Sequence, residues 1–379
     1  MKDLYDNPKK LGFGLMRLPL KKVNDTEIVD QDELKKMVDM YLERGFTYFD
    51  TAWMYHGGDS EKAIKEALVD RYPRDSFTLT TKLHSAFFDD LEGRDRIFNT
   101  QLERTGAGYF DFYLIHDIES GNYDKFCKLD CFNWVIKKKE EGLVKHIGFS
   151  FHSDAKLLDR VLTEHPEMEF VQLQINYLDW ESDNVQSRKC YEVAEKHGKK
   201  VLIMEPVKGG GLAVLPDYIT EEMRAAHPDW SIPSWAVRFA ASHKNVFMVL
   251  SGMSNMAQME DNSGFMQQFV PLTEEEKAIC LRAAEKIRSD IAVPCTACSY
   301  CTEGCPMQIA IPKYFALLNN EKKIIKPWGW KSGKEEYDEL TKTYGKASEC
   351  VGCGQCEGIC PQHLPIISHL RTVAETFEN

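Results

Sequence analysis

Two cysteine runs near the C-terminus restrict what this chain can become more than any other feature. They are Cys295-Thr-Ala-Cys298-Ser-Tyr-Cys301-Thr-Glu-Gly-Cys305-Pro306 and Cys350-Val-Gly-Cys353-Gly-Gln-Cys356-Glu-Gly-Ile-Cys360-Pro361. Both follow C-x2-C-x2-C-x3-C-P, a spacing that wraps a [4Fe–4S] cube. Three thiolates two residues apart let one tight loop hold one cluster, and the fourth, displaced by its proline, ligates the other. The expected ligand sets are Cys295, Cys298, Cys301 and Cys360 for one cluster, and Cys350, Cys353, Cys356 and Cys305 for the other. A structural zinc site also uses C-x2-C pairs, but as two separated pairs rather than quartets. Disulfides are the second alternative.

The chain has 379 residues, enough for two domains or one large one. Its formal charge of −12 argues against nucleic acid and acidic membrane surfaces as partners. The first residues carry no apolar stretch of the signal-peptide kind, and no apolar run is long enough to span a bilayer. A secreted disulfide protein with this many cysteines would be much shorter. Cys127, Cys131, Cys190 and Cys280 lie outside the runs and read as reduced packing residues. The expected compartment is a reducing cytoplasm.

Upstream, apolar runs of strand character alternate with amphipathic helical patterns. The runs are Gly12–Met16, Thr47–Thr51, Phe77–Thr81, Asp111–Ile115, His146–Ser150, Phe170–Gln174, Val201–Met204 and Val246–Leu250. Between them, Asp32–Leu42 sets Leu34, Met37, Val38 and Tyr41 on one face. Asp59–Leu68 opens on acids, and Pro233 sits early in the helical stretch 233–240, where proline is tolerated. This alternation predicts an α/β fold, a (β/α)8 TIM barrel. A doubly wound sheet would need a G-x-G-x-x-G fingerprint after its first strand, and none appears there. A helix from Thr273 to Ile287, opened by a capping box at Thr273-Glu-Glu-Glu276, then leads out. The expected domains are a barrel over 1–289 and a small, mostly α, cluster-bearing domain over 290–379.

In such a barrel the chemistry sits at the C-terminal ends of the strands. Asp50 closes the second strand, Tyr55 follows it closely, Lys82 follows the third and His116 the fourth. Singly these have ordinary explanations: a helix cap, a solvated lysine, a satisfied core histidine. Together, at consecutive strand ends, they form an acid–base set. A free tyrosine titrates near ~10, and an ammonium beside it is expected to lower that value. A neutral imidazole can donate a hydrogen bond to a carbonyl oxygen.

These residues also carry a resemblance. Over about Leu11 to Asn262 the chain resembles the aldo-keto reductase superfamily, in Gly-Phe-Gly-Leu-Met-Arg, Phe-Asp-Thr-Ala-x-x-Tyr, Thr-Lys, Leu-Ile-His, Ile-Gly-Phe-Ser and Gln-Ile-Asn-Tyr. With its tail, it resembles the branch in which that barrel is fused to a two-cluster, ferredoxin-like module. The resemblance implies that Tyr55 is the general acid, assisted by Lys82 and Asp50, and that His116 polarises a substrate carbonyl. It further implies NADP(H) or NAD(H), with Ser150 and Gln174 on the carboxamide and Met204 under the ring. Pro206, Lys208 and Gly209 would lie along the pyrophosphate, Ser254, Gln258, Asp261 and Asn262 along the adenosine ribose, and Met16 and Arg17 close by. Phe151 stands where the family often has Asn, and Met204 where an aromatic is common. Met253 and Gln258 replace the basic residues that favour a 2′-phosphate.

The function so implied is an oxidoreductase that reduces a small carbonyl compound by hydride transfer from NAD(P)H. Hydride chemistry needs no cluster, so a second reading stands beside it: clusters fed by a ferredoxin- or flavodoxin-type protein pass electrons to the barrel, directly or through a flavin. A third, a redox-sensing module with a vestigial site, conflicts with the complete tetrad. Trp53, Phe87, Phe88 and His152 are candidate pocket residues. Residues 307–349, with Tyr314, Phe315, Trp328, Trp330, Tyr337 and Tyr344, read as a surface insertion or as a flap over the barrel mouth. Residues 290–379 are expected to dock against the barrel.

Overall fold

The computed structural model describes residues 9–24, 26–322 and 331–379. Strands β1 (Leu11–Gly14), β4 (Tyr48–Asp50), β5 (Thr78–His84), β6 (Phe110–Ile118), β7 (Val144–Phe151), β8 (Phe170–Gln174), β9 (Lys200–Met204) and β10 (Val246–Gly252) close a parallel barrel in the order β1-β10-β9-β8-β7-β6-β5-β4. Two further strands, β2 (Leu20–Val23) and β3 (Thr26–Val29), form an antiparallel hairpin. Its Leu20, Val23 and Ile28 are each over 40% exposed, at 46%, 44% and 42%, so no inward face marks it in the sequence. Among the described residues, no helix is long and apolar enough to cross a membrane.

The barrel strands read as near-continuous apolar runs because helices cover their outer faces while side chains fill the inside. Tyr48, Phe112, Leu114, Phe170, Leu202, Phe247, Met248 and Leu250 make that inner cluster. Phe112 lies nearly parallel to Phe247, with ring centroids 5.7 Å apart. Among the glycines of the barrel strands, packing leaves least room at Gly148 on β7. A Cβ there would stand 2.5 Å from the Phe170 carbonyl oxygen and 2.7 Å from its ring. Gly148→Ala must therefore lever β8 away from β7, and we expect a loss of about 1–3 kcal/mol, the usual range for overpacking. A thermal midpoint equal to that of the parent protein would contradict this.

The helix Glu274–Asp290 leaves the barrel through the expected capping box: Thr273 N donates to Glu276 Oε2 at 2.6 Å, and Glu276 N donates to Thr273 Oγ1 at 3.3 Å. Beyond it a second core gathers around Val293, Ile309, Tyr314, Phe315, Tyr337, Val373 and Phe377. Tyr314, Phe315 and Tyr337 are thus interior residues on helices Ile311–Lys322 and Lys334–Leu340, and these parts of 307–349 are not a surface insertion. Trp328 and Trp330 lie outside the described residues.

The two cysteine loops repeat one backbone course. Ala297 and Ser299 have φ of 55° and 68°, and the matching Gly352 and Gly354 have φ of 70° and 78°. Three residues past each final cysteine, Gln308 and His363 have φ of 50° and 49°. Left-handed backbone is unfavourable at non-glycine positions, yet Gln308 and His363 adopt it at the same place after each run, while the second loop uses Gly352 and Gly354 where the first has Ala297 and Ser299.

Candidate active site and thiol centres

Adjacent strands carry the acid–base residues to one place. Asp50 pairs in register with Gly14 and Thr80, and His84 pairs with His116. After β4 the chain reverses through His56, Gly57 and Gly58, all at positive φ, which turns Tyr55 back over the strand ends. Lys82 Nζ donates to Asp50 Oδ1 at 2.5 Å and to the Thr51 carbonyl at 2.7 Å, and lies 3.4 Å from the Tyr55 hydroxyl. The Tyr55 and His116 rings meet edge to face at 6.2 Å. Beneath them Gln101 Nε2 reaches Glu61 Oε1, Thr81 Oγ1 and the Lys82 carbonyl, each at 2.9 Å, and Tyr113 OH donates to Gln101 Oε1 at 2.7 Å. That buried network fixes the stretch of β5 from which Lys82 projects.

Burial governs the protonation states. It raises the Tyr55 phenol well above its ordinary value, and the carboxylates of Asp50, Glu205 and Asp117 push the same way. The lowering expected from Lys82 does not prevail. Its ammonium is paired to Asp50 at hydrogen-bond distance and is itself shifted down by burial. Burial, then the Lys82 and His84 charges, hold His116 well below the usual imidazole value. At neutral pH the site therefore presents a protonated phenol and a neutral imidazole whose Nδ1 has no partner among the described residues. Turnover in the reducing direction should show no inflection from either group between roughly pH 6.5 and 9. A pH–rate profile that falls through pH 8 with loss of a single proton would contradict the assignment.

The surroundings divide the candidate pocket residues. Trp53 and Phe87 face each other at 6.3 Å, and Phe87 packs on His84 at 5.6 Å, beside the tetrad. Phe88 belongs instead to the barrel–helix core, at 3% exposed. His152 turns toward the seam with the C-terminal region, where it lines a cavity with Pro361 and His363. Four groups add to the site without having been singled out in the sequence. His84 and Asp117 approach each other at 3.4 Å, Glu205 sits at φ 57° with Oε2 unpartnered, and Tyr300 donates to Met16 Sδ at 2.8 Å. His84 was legible, being two residues past Lys82 on the same strand face. The others are brought in by tertiary contacts alone.

The eight thiols fall into two cavities. Cys295, Cys298, Cys301 and Cys360 line one, and Cys305, Cys350, Cys353 and Cys356 line the other. Each set thus draws three cysteines from one run and the last from the other run. The sharing of the fourth cysteine between the two runs matches the two-cluster spacing read from the sequence. All the cysteines are free of disulfides. Ala297 N donates to Cys295 Sγ at 3.5 Å, a bond of the kind that holds a ligating sulfur in place.

Of the residues implied for a nicotinamide cofactor, Gln174 and Lys208 are engaged by protein groups. Gln174 Nε2 donates to Asp179 Oδ2 at 3.0 Å and to Gln362 Oε1 at 3.3 Å. Lys208, rather than facing outward to a phosphate, is 5% exposed, pairs with Asp179 at 2.6 Å and donates to Gln362 Oε1. The reason is physical: a buried ammonium needs a carboxylate beside it. Ser150 Oγ accepts from Asp117 N at 2.7 Å, Met16 is taken by Tyr300, and Gly209 lies against the Thr296 carbonyl. Met204 and Pro206 stay in the β9 end and the loop after it. The adenosine-side residues bond locally: Ser254 Oγ to the Arg17 carbonyl at 3.1 Å, Ser254 N to Gln258 Oε1 at 2.7 Å, Asn262 Nδ2 to the Gln258 carbonyl at 2.8 Å, and Ser231 Oγ to Asp261 at 2.8 Å.

Comparison with known proteins matches two stretches of the chain. Residues 10–285 match the Aldo/keto reductase family, and residues 294–364 match the 4Fe-4S dicluster domain. The chain is 26% identical over 264 residues to probable aldo-keto reductase 1 of Glycine max, a match covering 66% of this chain and 70% of that protein. Among solved structures it resembles the holo form of an aldo-keto reductase from Bacillus halodurans, with TM-score 0.59 and 22% identity, covering 72% of this chain and 91% of the other. It also resembles the aldo/keto reductase of Klebsiella pneumoniae in complex with NADP and acetate, with TM-score 0.57 and 18% identity, covering 72% and 90%.

Proposed function

Because the chain belongs to the aldo/keto reductase family and continues into a 4Fe-4S dicluster domain, we propose that it reduces a small carbonyl compound to its alcohol, with Tyr55 as proton donor. The observation that carries this reading is the meeting of Lys82 Nζ with Asp50 at 2.5 Å and the Tyr55 hydroxyl at 3.4 Å, with the His116 ring beside them. Tyr55 gives its proton to the carbonyl oxygen as negative charge develops there. Lys82 stabilises the phenolate left behind, and Asp50 holds the ammonium in place and balances it. Neutral His116 supplies a hydrogen bond that fixes the carbonyl oxygen.

The two thiol sets are assigned as cluster ligands: Cys295, Cys298, Cys301 and Cys360 for the first, Cys305, Cys350, Cys353 and Cys356 for the second. When bound, such clusters carry single electrons. The family brings with it the expectation of hydride from NAD(P)H, but the residues that would hold the nicotinamide are engaged elsewhere. A flavin gains no support from the structure either, since Gln362 and Thr296 of the C-terminal region already lie against the loop after β9.

The test is a panel of ketones, aldehydes, 1,2-dicarbonyls and quinones offered to the anaerobically reconstituted protein. Electrons come in turn from NADPH, NADH and a reduced one-electron mediator, and the alcohols formed are identified by mass spectrometry. Formation of no alcohol with any donor counts against the proposal.

A further inference from the structure

We infer that Gln362 of the C-terminal domain fills the place of the nicotinamide carboxamide, so that electrons enter the barrel site from the Cys295/Cys298/Cys301/Cys360 centre, supplied by a ferredoxin-class carrier protein, and not as hydride. The inference rests on the reading of Tyr55 as proton donor.

Gln362 is 4% exposed, and its Oε1 accepts from both Gln174 Nε2 and Lys208 Nζ. Lys208 has only donors to offer, so the oxygen end of the amide must face it. Asp179 fixes the other side of the network, accepting from Lys208, from Gln174 and from Asn176 Nδ2 at 2.8 Å. A primary carboxamide from this chain thus bonds to Gln174, one of the two residues implied to bind the primary carboxamide of nicotinamide, and to Lys208 of the loop implied to follow the pyrophosphate. The loop that would follow the pyrophosphate is closed as well. Its lysine is neutralised by Asp179, and a Cβ on Gly209 would stand 3.2 Å from the Thr296 carbonyl, between Cys295 and Cys298.

The other end of the same amide points the opposite way chemically. Gln362 Nε2 is a buried donor with no partner among the described residues, and Gln362 is one of the residues that line the cavity together with the four thiols. An amide N–H beside such a cavity would suit a cluster sulfur, a contact that would tune the centre's potential. One side chain therefore joins the barrel residues to the proximal centre. Tyr300, set between Cys298 and Cys301, reaches Met16 from the same loop.

The reaction so supplied balances as one carbonyl compound plus two electrons plus two protons giving one alcohol. The C=O π bond breaks and O–H and C–H bonds form. Two reduced carriers are each oxidised by one electron, Tyr55 delivers the proton to oxygen, and the carbon-bound hydrogen comes from solvent. One-electron delivery passes through a ketyl radical, which must be delocalised to be reached by a low-potential iron–sulfur donor. The substrate class is therefore a conjugated carbonyl that can become a carbinol: a 1,2-dicarbonyl or an enone.

The test uses the reconstituted holoprotein without oxygen. Titration with NADPH and NADH, followed by nicotinamide fluorescence and by cluster absorbance, should give neither saturation nor bleaching, whereas reduced ferredoxin should bleach the clusters. Saturable NADPH binding overturns the inference, and this readout needs no turnover, so it stands apart from the fate of the proposed carbonyl chemistry. Turnover in heavy water should place deuterium on the carbinol carbon, while arrival there of deuterium from NADPH labelled at the nicotinamide C4 position overturns the route. Gln362→Glu keeps an oxygen for Lys208 and removes the N–H, and should lower the midpoint potential of one cluster with iron content unchanged. Should that variant lose iron, Gln362→Met is measured in its place; potentials unmoved in the variant that retains iron overturn the contact.

Discussion

Under the proposed role of Tyr55, Tyr55→Phe should lower carbonyl turnover by roughly 10²–10⁴-fold, the range a positioned general acid contributes, and should leave the cluster spectrum and iron content those of the parent. The expectation is sharp because the substitution removes one oxygen and little else. The strongest bonds in the site, Lys82 to Asp50 and to the Thr51 carbonyl, do not involve the phenol. Tyr300 supplies the control. It is a second phenol near the same place, but its hydroxyl donates to Met16 Sδ, so Tyr300→Phe should retain turnover. If the two variants lost activity equally, the proton donor would have to be sought elsewhere than Tyr55.

Lys82→Met has the largest expected effect on the fold itself. Lys82 is 0% exposed and Asp50 1%, and Asp50 Oδ2 lacks a partner among the described residues. Deleting the ammonium strands a carboxyl group in the barrel. Breaking a buried pair in this way costs about 3–5 kcal/mol, which for a domain of this size lowers the melting midpoint by on the order of 10 °C. Replacing both partners, Lys82→Met with Asp50→Leu, should restore most of that stability, because the charge and its stranded partner leave together. It should restore no turnover. A double variant as unstable as the single one would show that the pair is not what holds these strand ends. Recovery of activity in it would remove Lys82 from the chemistry.

What the chain discloses before folding depends on range. The cysteine spacing, the run of apolar strands and the capping box at Thr273 are local, and each follows from a few neighbouring residues. The tetrad was legible because a barrel sends the ends of its strands to one rim, so order along the chain becomes proximity in space. Lys208 misled because a glycine-flanked lysine has the same composition whether it turns outward or inward. Its φ of 49° and its partner Asp179 decide the matter, and neither is visible in the motif. Gln362 had no local signal at all, since it meets Gln174 across 188 residues and Lys208 across 154. Tyr55 shows a similar limit. An adjacent ammonium suggests an acidic phenol, but only the structure reveals that burial and three carboxylates overrule it.

The matched left-handed turns of the two cysteine loops carry one more consequence. Each loop, under the ligand sets proposed, supplies three sulfurs to its own cube and lends its last to the other. The halves are therefore mutually dependent, like two arches sharing a keystone. An oxidant that destroys one cube frees a ligand belonging to the second. It also loosens the strap from Cys360 to His363 that anchors the tail to the barrel. Damage by air should accordingly spread through the whole assembly as a single event rather than by halves.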